Sequence, residues 1–354
     1  MLQFALIACA ALSTAQAPDG PEVTKSALPK VHKIAAGGEG GWDYLTVDSD
    51  ARRLYVSRGN RVMVVDLEKE AVVGEIADTP GVHGVAIVPE LGKGFTTNGS
   101  DSSVTVFDLK TLKTTGKVKA GGTPDATLYD PASGRVFTFN HGTDDTTAID
   151  PATATVAGTL ALGGEPEGAA ADGKGHVFVN IRSKSEIAEI DARSLTVLKR
   201  YPLAPGTRPT GLAIDTANRR LFSACGNQKM VVMDANNGAI LGSAEIGRGA
   251  DGCTFDPAKG LAYSSNGGDG TVTAVGETAP GKFGVVATIP TQASARTMAI
   301  DPRTHRLYLS AATADTTPMP ENKTDTKAAT KPATKGGGRR RMVPGSFVVI
   351  VVGD

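Results

Sequence analysis

Seven residues recur at one position of a repeated unit: Asp43, His83, Asp125, Glu167, Thr210, Asp251 and Arg296. The steps between them are 40, 42, 42, 43, 41 and 45 residues. If the fold brings them together, four carboxylates, an imidazole and a guanidinium share one place. Like charges held close raise carboxylate pKa values and favour a cation or a shared proton. Oxygen-rich sets suit Ca²⁺ or Mg²⁺, and an imidazole adds capacity for Zn²⁺. The residues leave the cofactor open, with a divalent metal (Ca, Mg or Zn) as the candidate and Asp43, His83, Asp125, Glu167 and Asp251 as its candidate ligands. Trp42 and Tyr44 flank Asp43, and this Trp, the only one in the chain, could stack on a ring-shaped ligand.

A second layer follows at a later position of the repeat: Arg58, Asn98, Asn140, His141, Arg182, Cys225 and Asn266. The candidate ligand-binding set joins Trp42, Asp43, Tyr44, His83, Asp125, Glu167, Asp251 and Arg296 to Asn98, Asn140, His141, Arg182 and Asn266. In an enzyme, His83, Asp125 and Glu167 would be the catalytic residues. His32, His176 and His305 fall at other positions of the repeat and read as structural. Gly37-Gly38-Glu39-Gly40-Gly41 resembles a phosphate cradle, but a strand follows it, so it reads as a connecting loop. There is no Gly-x-Ser-x-Gly, His-Glu-x-x-His or Walker sequence.

The elements that position these residues come from the repeat. Aliphatic runs closed by Asp end at Asp66, Asp108, Asp150, Asp191 and Asp234. A second series ends another short apolar run at Asp48, Val88, Asp130, Asp172, Asp215, Asp256 and Asp301. Each unit of about 42 residues reads as four short strands, which is a propeller blade. The expected fold is all-β: a seven-bladed β-propeller of four-stranded antiparallel blades over residues 28–354. In such a ring, the connections that enter the inner strands share one face with the connections between second and third strands. Both layers of candidate residues would meet at that mouth. Small residues on the inner strands (Gly84 and Ala86, Gly168 and Ala170, Gly211 and Ala213) suit a crowded axis. The last unit lacks its fourth strand, and Lys30–Ile34 is left unassigned at the start. The N-terminal strand is expected to complete the last blade and close the ring, which removes exposed edges. Residues 312–345 interrupt that blade with a basic segment of disordered composition.

The units, with Arg53-Leu54-Tyr55-Val56-Ser57 and Arg306-Leu307-Tyr308-Leu309-Ser310, resemble the YVTN-repeat, YncE-like propellers. The resemblance spans nearly the whole chain after its first residues. It implies a seven-bladed propeller that is often exported, and it implies no single chemistry.

Composition excludes some classes. The 37 basic and 37 acidic residues balance, which argues against a general nucleic-acid binder. Residues 1–15 read as a signal peptide, cut after Ala15 or Ala17, so a periplasmic or secreted protein is expected. Leu6-Ile7-Ala8-Cys9 also fits a lipoprotein box, which makes anchoring through Cys9 the minor alternative. No transmembrane span is expected. Cys225 and Cys253 could pair in an oxidising compartment. Two functions remain open. One is a monomeric binding module that holds a small molecule, metal or protein at the acidic mouth. The other is a metal-assisted lactone hydrolase, gluconolactonase-like, which uses the same carboxylates and His83. A redox role ranks below both.

Overall fold

Residues 28–315 and 341–353 are described by the structure, a computed structural model. The expected signal peptide, Cys9 and most of the basic insertion lie outside the described residues. The strands form seven four-stranded sheets, each antiparallel throughout. Six sheets are built from consecutive strands. In the fifth these are Pro209–Asp215, Arg220–Cys225, Lys229–Asp234 and Ile240–Glu245, from the axis outwards. The seventh has the order Met298–Asp301, Arg306–Ala311, Val348–Val352 and Val31–Ala35. Its outermost strand is the N-terminal one, with Val31 opposite Val352 and Ala35 opposite Val348. The ring closes as expected. No helix among the described residues is long and apolar enough to cross a membrane.

Alternation explains the packing. Second and third strands are buried on both faces because they lie between neighbouring blades, so they read as continuous apolar runs such as Met230-Val231-Val232-Met233. The outermost strands are largely exposed, as in Ile240–Glu245. Apolar clusters fill the spaces between adjacent blades. One of them joins Phe178 and Ile187 of blade four to Leu221 and Met233 of blade five.

The two Asp series have a common physical origin. Asp66, Asp108, Asp150, Asp191 and Asp234 each accept hydrogen bonds from backbone N–H groups two or three residues on. Asp48, Asp130, Asp172, Asp215, Asp256 and Asp301 do the same at the first turn of their blades. These are Asx turns, which replace missing backbone partners. Three of them also staple blades together. Arg52 reaches Asp301 at 2.5 Å across the closure, Arg219 reaches Asp172 at 2.6 Å, and His305 reaches Asp256 at 2.9 Å.

The inner strands carry a repeated irregularity. Register shifts fall between Val82 and Val85, Pro124 and Thr127, Pro166 and Ala169, Pro209 and Leu212, and Ala250 and Cys253. Each is a β-bulge with one extra residue, which re-aims a side chain. The bulges contain His83-Gly84, Asp125-Ala126, Glu167-Gly168, Thr210-Gly211 and Asp251-Gly252. The second member is small because the next blade's backbone presses on it. A Cβ on Gly211 would lie 2.4 Å from the Cys253 nitrogen, and one on Gly168 would lie 2.5 Å from the Thr210 oxygen.

Three stability outcomes follow. Gly211→Ala should cost about 1–3 kcal/mol by forcing blades five and six apart. Gly116→Ala, with nothing within 4 Å of the added carbon, should leave the melting temperature within a degree or two. Equal melting of the two variants would refute the axial packing argument. Deletion of residues 28–38 should lower thermal stability sharply, as measured by calorimetry, because it removes the closing strand.

Candidate functional site at the propeller mouth

The bulges place His83, Asp125, Glu167, Thr210 and Asp251 around the axis. Asp43 and Arg296 enter from the segments before the first and last inner strands. Their backbone is held by neighbouring blades. The Asn180 amide donates to the carbonyl oxygens of Thr210 and Gly211 at 2.9 and 3.1 Å. Thr297 Oγ1 donates to Asp43 O at 2.7 Å, and Thr97 and Ser265 donate to the carbonyls of Asp125 and Arg296. These buried hydroxyl and amide groups satisfy carbonyls that the irregular strands leave without ladder partners.

The side chains meet as expected. His83 Nδ1 lies 2.6 Å from Asp43 Oδ2 and 3.3 Å from Asp125 Oδ1. Arg296 contacts Asp251 at 2.8 Å and Asp43 at 3.5 Å. Arg182 pairs with Glu167 at 2.5 Å, and His141 Nδ1 stands 3.7 Å from Glu167 Oε1. Thr210 takes no part in the charge cluster, since its hydroxyl donates to backbone oxygens of Ala224 and Ala250.

Charge is unevenly compensated. Asp43 has His83 and Arg296, Asp251 has Arg296, and Glu167 has Arg182. Asp125 has no arginine partner and its one ion-pair contact is His83, its side chain is 18% exposed, and its Oδ1 is buried without a hydrogen bond. Burial, with the nearby Asp43 carboxylate, pushes Asp125 up to about 8. Burial pushes Asp251 to about 6, against the lowering effect of Arg296. For His83, burial lowers the pKa, but the Asp43 hydrogen bond and the Asp125 charge outweigh it and the net shift is upward.

Tyr44 lies beside the ring. Burial and then the charges of Asp125, Glu167, Asp251 and Asp43 hold its phenol strongly in the neutral form. It borders an axial cavity of about 150 Å³ formed by the inner strands. A larger cavity of about 1080 Å³ opens at the mouth, with Trp42, Asp43, His83, Arg296 and Phe347 in its wall. The Trp42 and Phe347 rings are 5.8 Å apart. Met342 and Val343 at the end of the basic insertion, and Phe347 just after it, which the sequence reading did not assign to the site, form an apolar side of this cavity. Their signal was hidden because no repeat position predicts where an insertion returns.

The second layer divides. Arg182 and His141 join the ring. The three asparagines serve the interior of their own blades. Asn98 accepts from Thr96 and donates to Thr105, Asn140 does so with Thr138 and Thr147, and Asn266 with Ser264 and Thr273. The Thr/Ser-x-Asn pattern with Thr seven residues on is present in the sequence and is the signal for this role. Arg58 is buried, and its guanidinium donates to carbonyls of residues 37–41. The glycine-rich loop therefore turns carbonyls inward around a cation, as a connecting loop and not a phosphate cradle. Cys225 and Cys253 are both free thiols. His32, His176 and His305 pair with Glu70, Glu189 and Asp256, away from the mouth.

No family model and no curated protein matches the chain. Solved structures match over most of it. Kuenenia stuttgartiensis hydrazine synthase has a TM-score of 0.67 at 15% identity, over 83% of this chain and 96% of that one. A chain of the mitotic checkpoint complex has a TM-score of 0.69 at 15% identity, over 86% and 95%. The Myceliophteria thermophila Cps50 (Swd1) β-propeller domain has a TM-score of 0.66 at 12% identity, over 79% and 96%. At these identities the likeness carries the fold alone.

The site sets a pH dependence. Asp125 holds its proton in the folded chain up to about pH 8, whereas the unfolded chain releases it near 4. The folded state thus binds more protons between these values, and stability falls as pH rises through them, by at most about 1.4 kcal/mol per unit. In metal-free protein, Asp125→Asn should raise the melting temperature at pH 8–9 and change it little at pH 4. An equal shift at both pH values would contradict the assignment.

Proposed function

We propose that this protein is a β-propeller binding module that seats a divalent cation in its acidic mouth and holds a small ligand in the adjoining cavity. One observation carries the reading. Asp43, His83 and Asp125 each offer a ligand atom, these atoms lie within 4.8 Å of one another, and Asp125 Oδ1 has no hydrogen-bond partner. Two carboxylates and an imidazole favour a borderline cation such as Zn²⁺ over Ca²⁺ or Mg²⁺. Trp42 and Phe347 give the ligand an apolar wall, and Arg296 gives it a charged one.

The repeat motifs at Arg53–Ser57 and Arg306–Ser310 support placement among YVTN-repeat propellers. The apolar run at the N-terminus supports export, so the module would work as a monomer in a periplasm or outside the cell. Anchoring through Cys9 is the lesser form of that proposal. A protein partner at the mouth is the alternative occupant.

A second reading uses the same groups. His83, bonded to Asp43 and lining the large cavity, would take a proton from water. A cation held by the ring carboxylates would polarise a lactone carbonyl, water would add as His83 takes its proton, and that proton would return to the alkoxide freed when the ring C–O bond breaks, giving the hydroxy acid.

Elemental analysis of protein purified without chelator, followed by Zn²⁺ titration calorimetry, tests the main reading. Binding should weaken at least about tenfold in both His83→Ala and Asp125→Ala. Unchanged binding in both would reject the site. Turnover on a lactone panel that is lost in the same variants would favour the hydrolase.

A further inference from the structure

We propose that the mouth holds two cations, with Asp125 as the carboxylate that bridges them. This rests on the cation-binding reading and adds a second seat to it. The residues fall into two groups that share Asp125. One is Asp43, His83 and Asp125; the other is Asp125, His141 and Glu167, again with all ligand atoms within 4.8 Å. Each group offers one imidazole nitrogen and two carboxylates. The two histidines come from unrelated positions: His83 from an inner-strand bulge of blade two, and His141 from the connection after the second strand of blade three.

One orphaned atom belongs to the second seat alone: His141 Nδ1 is buried with no hydrogen-bond partner, whereas Asp125 Oδ1, also unbonded, stands 3.3 Å from His83 Nδ1 of the first group. The His141 nitrogen is 3.7 Å from Glu167 Oε1, beyond hydrogen-bond reach. A buried acceptor left unpaired costs about 1–3 kcal/mol. A cation in the second group would give the His141 nitrogen a partner while one in the first would take Asp125 Oδ1, and a bridging carboxylate is a common feature of paired sites with metals roughly 3.5–4 Å apart.

Charge balance then constrains the ligand. The ring carboxylates Asp43, Asp125, Glu167 and Asp251 face the guanidiniums of Arg182 and Arg296. With neutral imidazoles, one divalent cation cancels the remaining negative charge. A second leaves the site positive, so it requires an anion: hydroxide, or an oxyanion group on the ligand. The module therefore selects a carboxylate- or phosphate-bearing small molecule.

The test uses the full chain and Mn²⁺ as probe, with and without inorganic phosphate. Equilibrium dialysis should give about two Mn²⁺ per chain with phosphate present, and electron paramagnetic resonance should show exchange coupling between them. His141→Gln should keep about one Mn²⁺ and lose the coupling, with unchanged circular dichroism. Asp125→Asn should also abolish coupling while the protein stays folded. A single uncoupled Mn²⁺ in the unaltered protein, with or without phosphate, would overturn the paired site and leave the single-cation reading standing. No bound Mn²⁺ would overturn the paired site, and the Zn²⁺ titration decides the single-cation reading separately.

Discussion

The close approach of neighbouring inner strands at the axis is the constraint on which the rest depends. Gly84, Gly168, Gly211 and Gly252 have no room for a Cβ, because the next strand's backbone or a short side chain lies against them. That contact closes the ring and buries the apolar faces of adjacent blades against each other. It also dictates the bulge, since an inner strand must bend to meet its neighbour there. The residue before each of these glycines is thereby turned towards the axis. The site is a by-product of how the ring packs.

Aspartate serves two purposes in this chain, and environment separates them. At the turns, its carboxylate accepts backbone N–H groups. Asp301 is held near 2: the hydrogen bonds from Arg52, Ser49, Thr304 and the Arg303 backbone together outweigh burial. At the mouth, Asp125 meets other carboxylates in a buried place with no arginine of its own. The same residue type is driven in the opposite direction. A carboxylate that cannot be solvated and is not paired favours a proton or a metal. This contrast separates the chemistry of the mouth from the structural carboxylates of the outer turns.

Much of the fold was legible because a repeat multiplies weak signals. A single run such as Val231-Val232-Met233-Asp234 identifies little. Its recurrence five times at intervals of about 42 residues identifies a blade, and the companion series from Asp48 to Asp301 sets the count at seven. The closure by Val31–Ala35 was legible as a deficit, a last blade short of one strand. The ring residues were legible for the same reason, since aligned positions in a ring must point to the same place.

The sequence by itself determined that the seven aligned repeat positions gather around the axis. It could not determine how they divide once there. Position in the repeat put Asn98, Asn140 and Asn266 beside His141 and Arg182, yet the asparagines turn inward because Thr or Ser two residues before and Thr seven residues after satisfy their amides. Periodicity likewise grouped Asp251 with Asp125, while the three-dimensional arrangement pairs Asp251 with Arg296 and leaves Asp125 between two histidines. Repetition in one dimension specifies the angle and height of a side chain in the ring. Only tertiary structure decides partners, because hydrogen bonding and charge pairing depend on differences of an ångström that no spacing encodes.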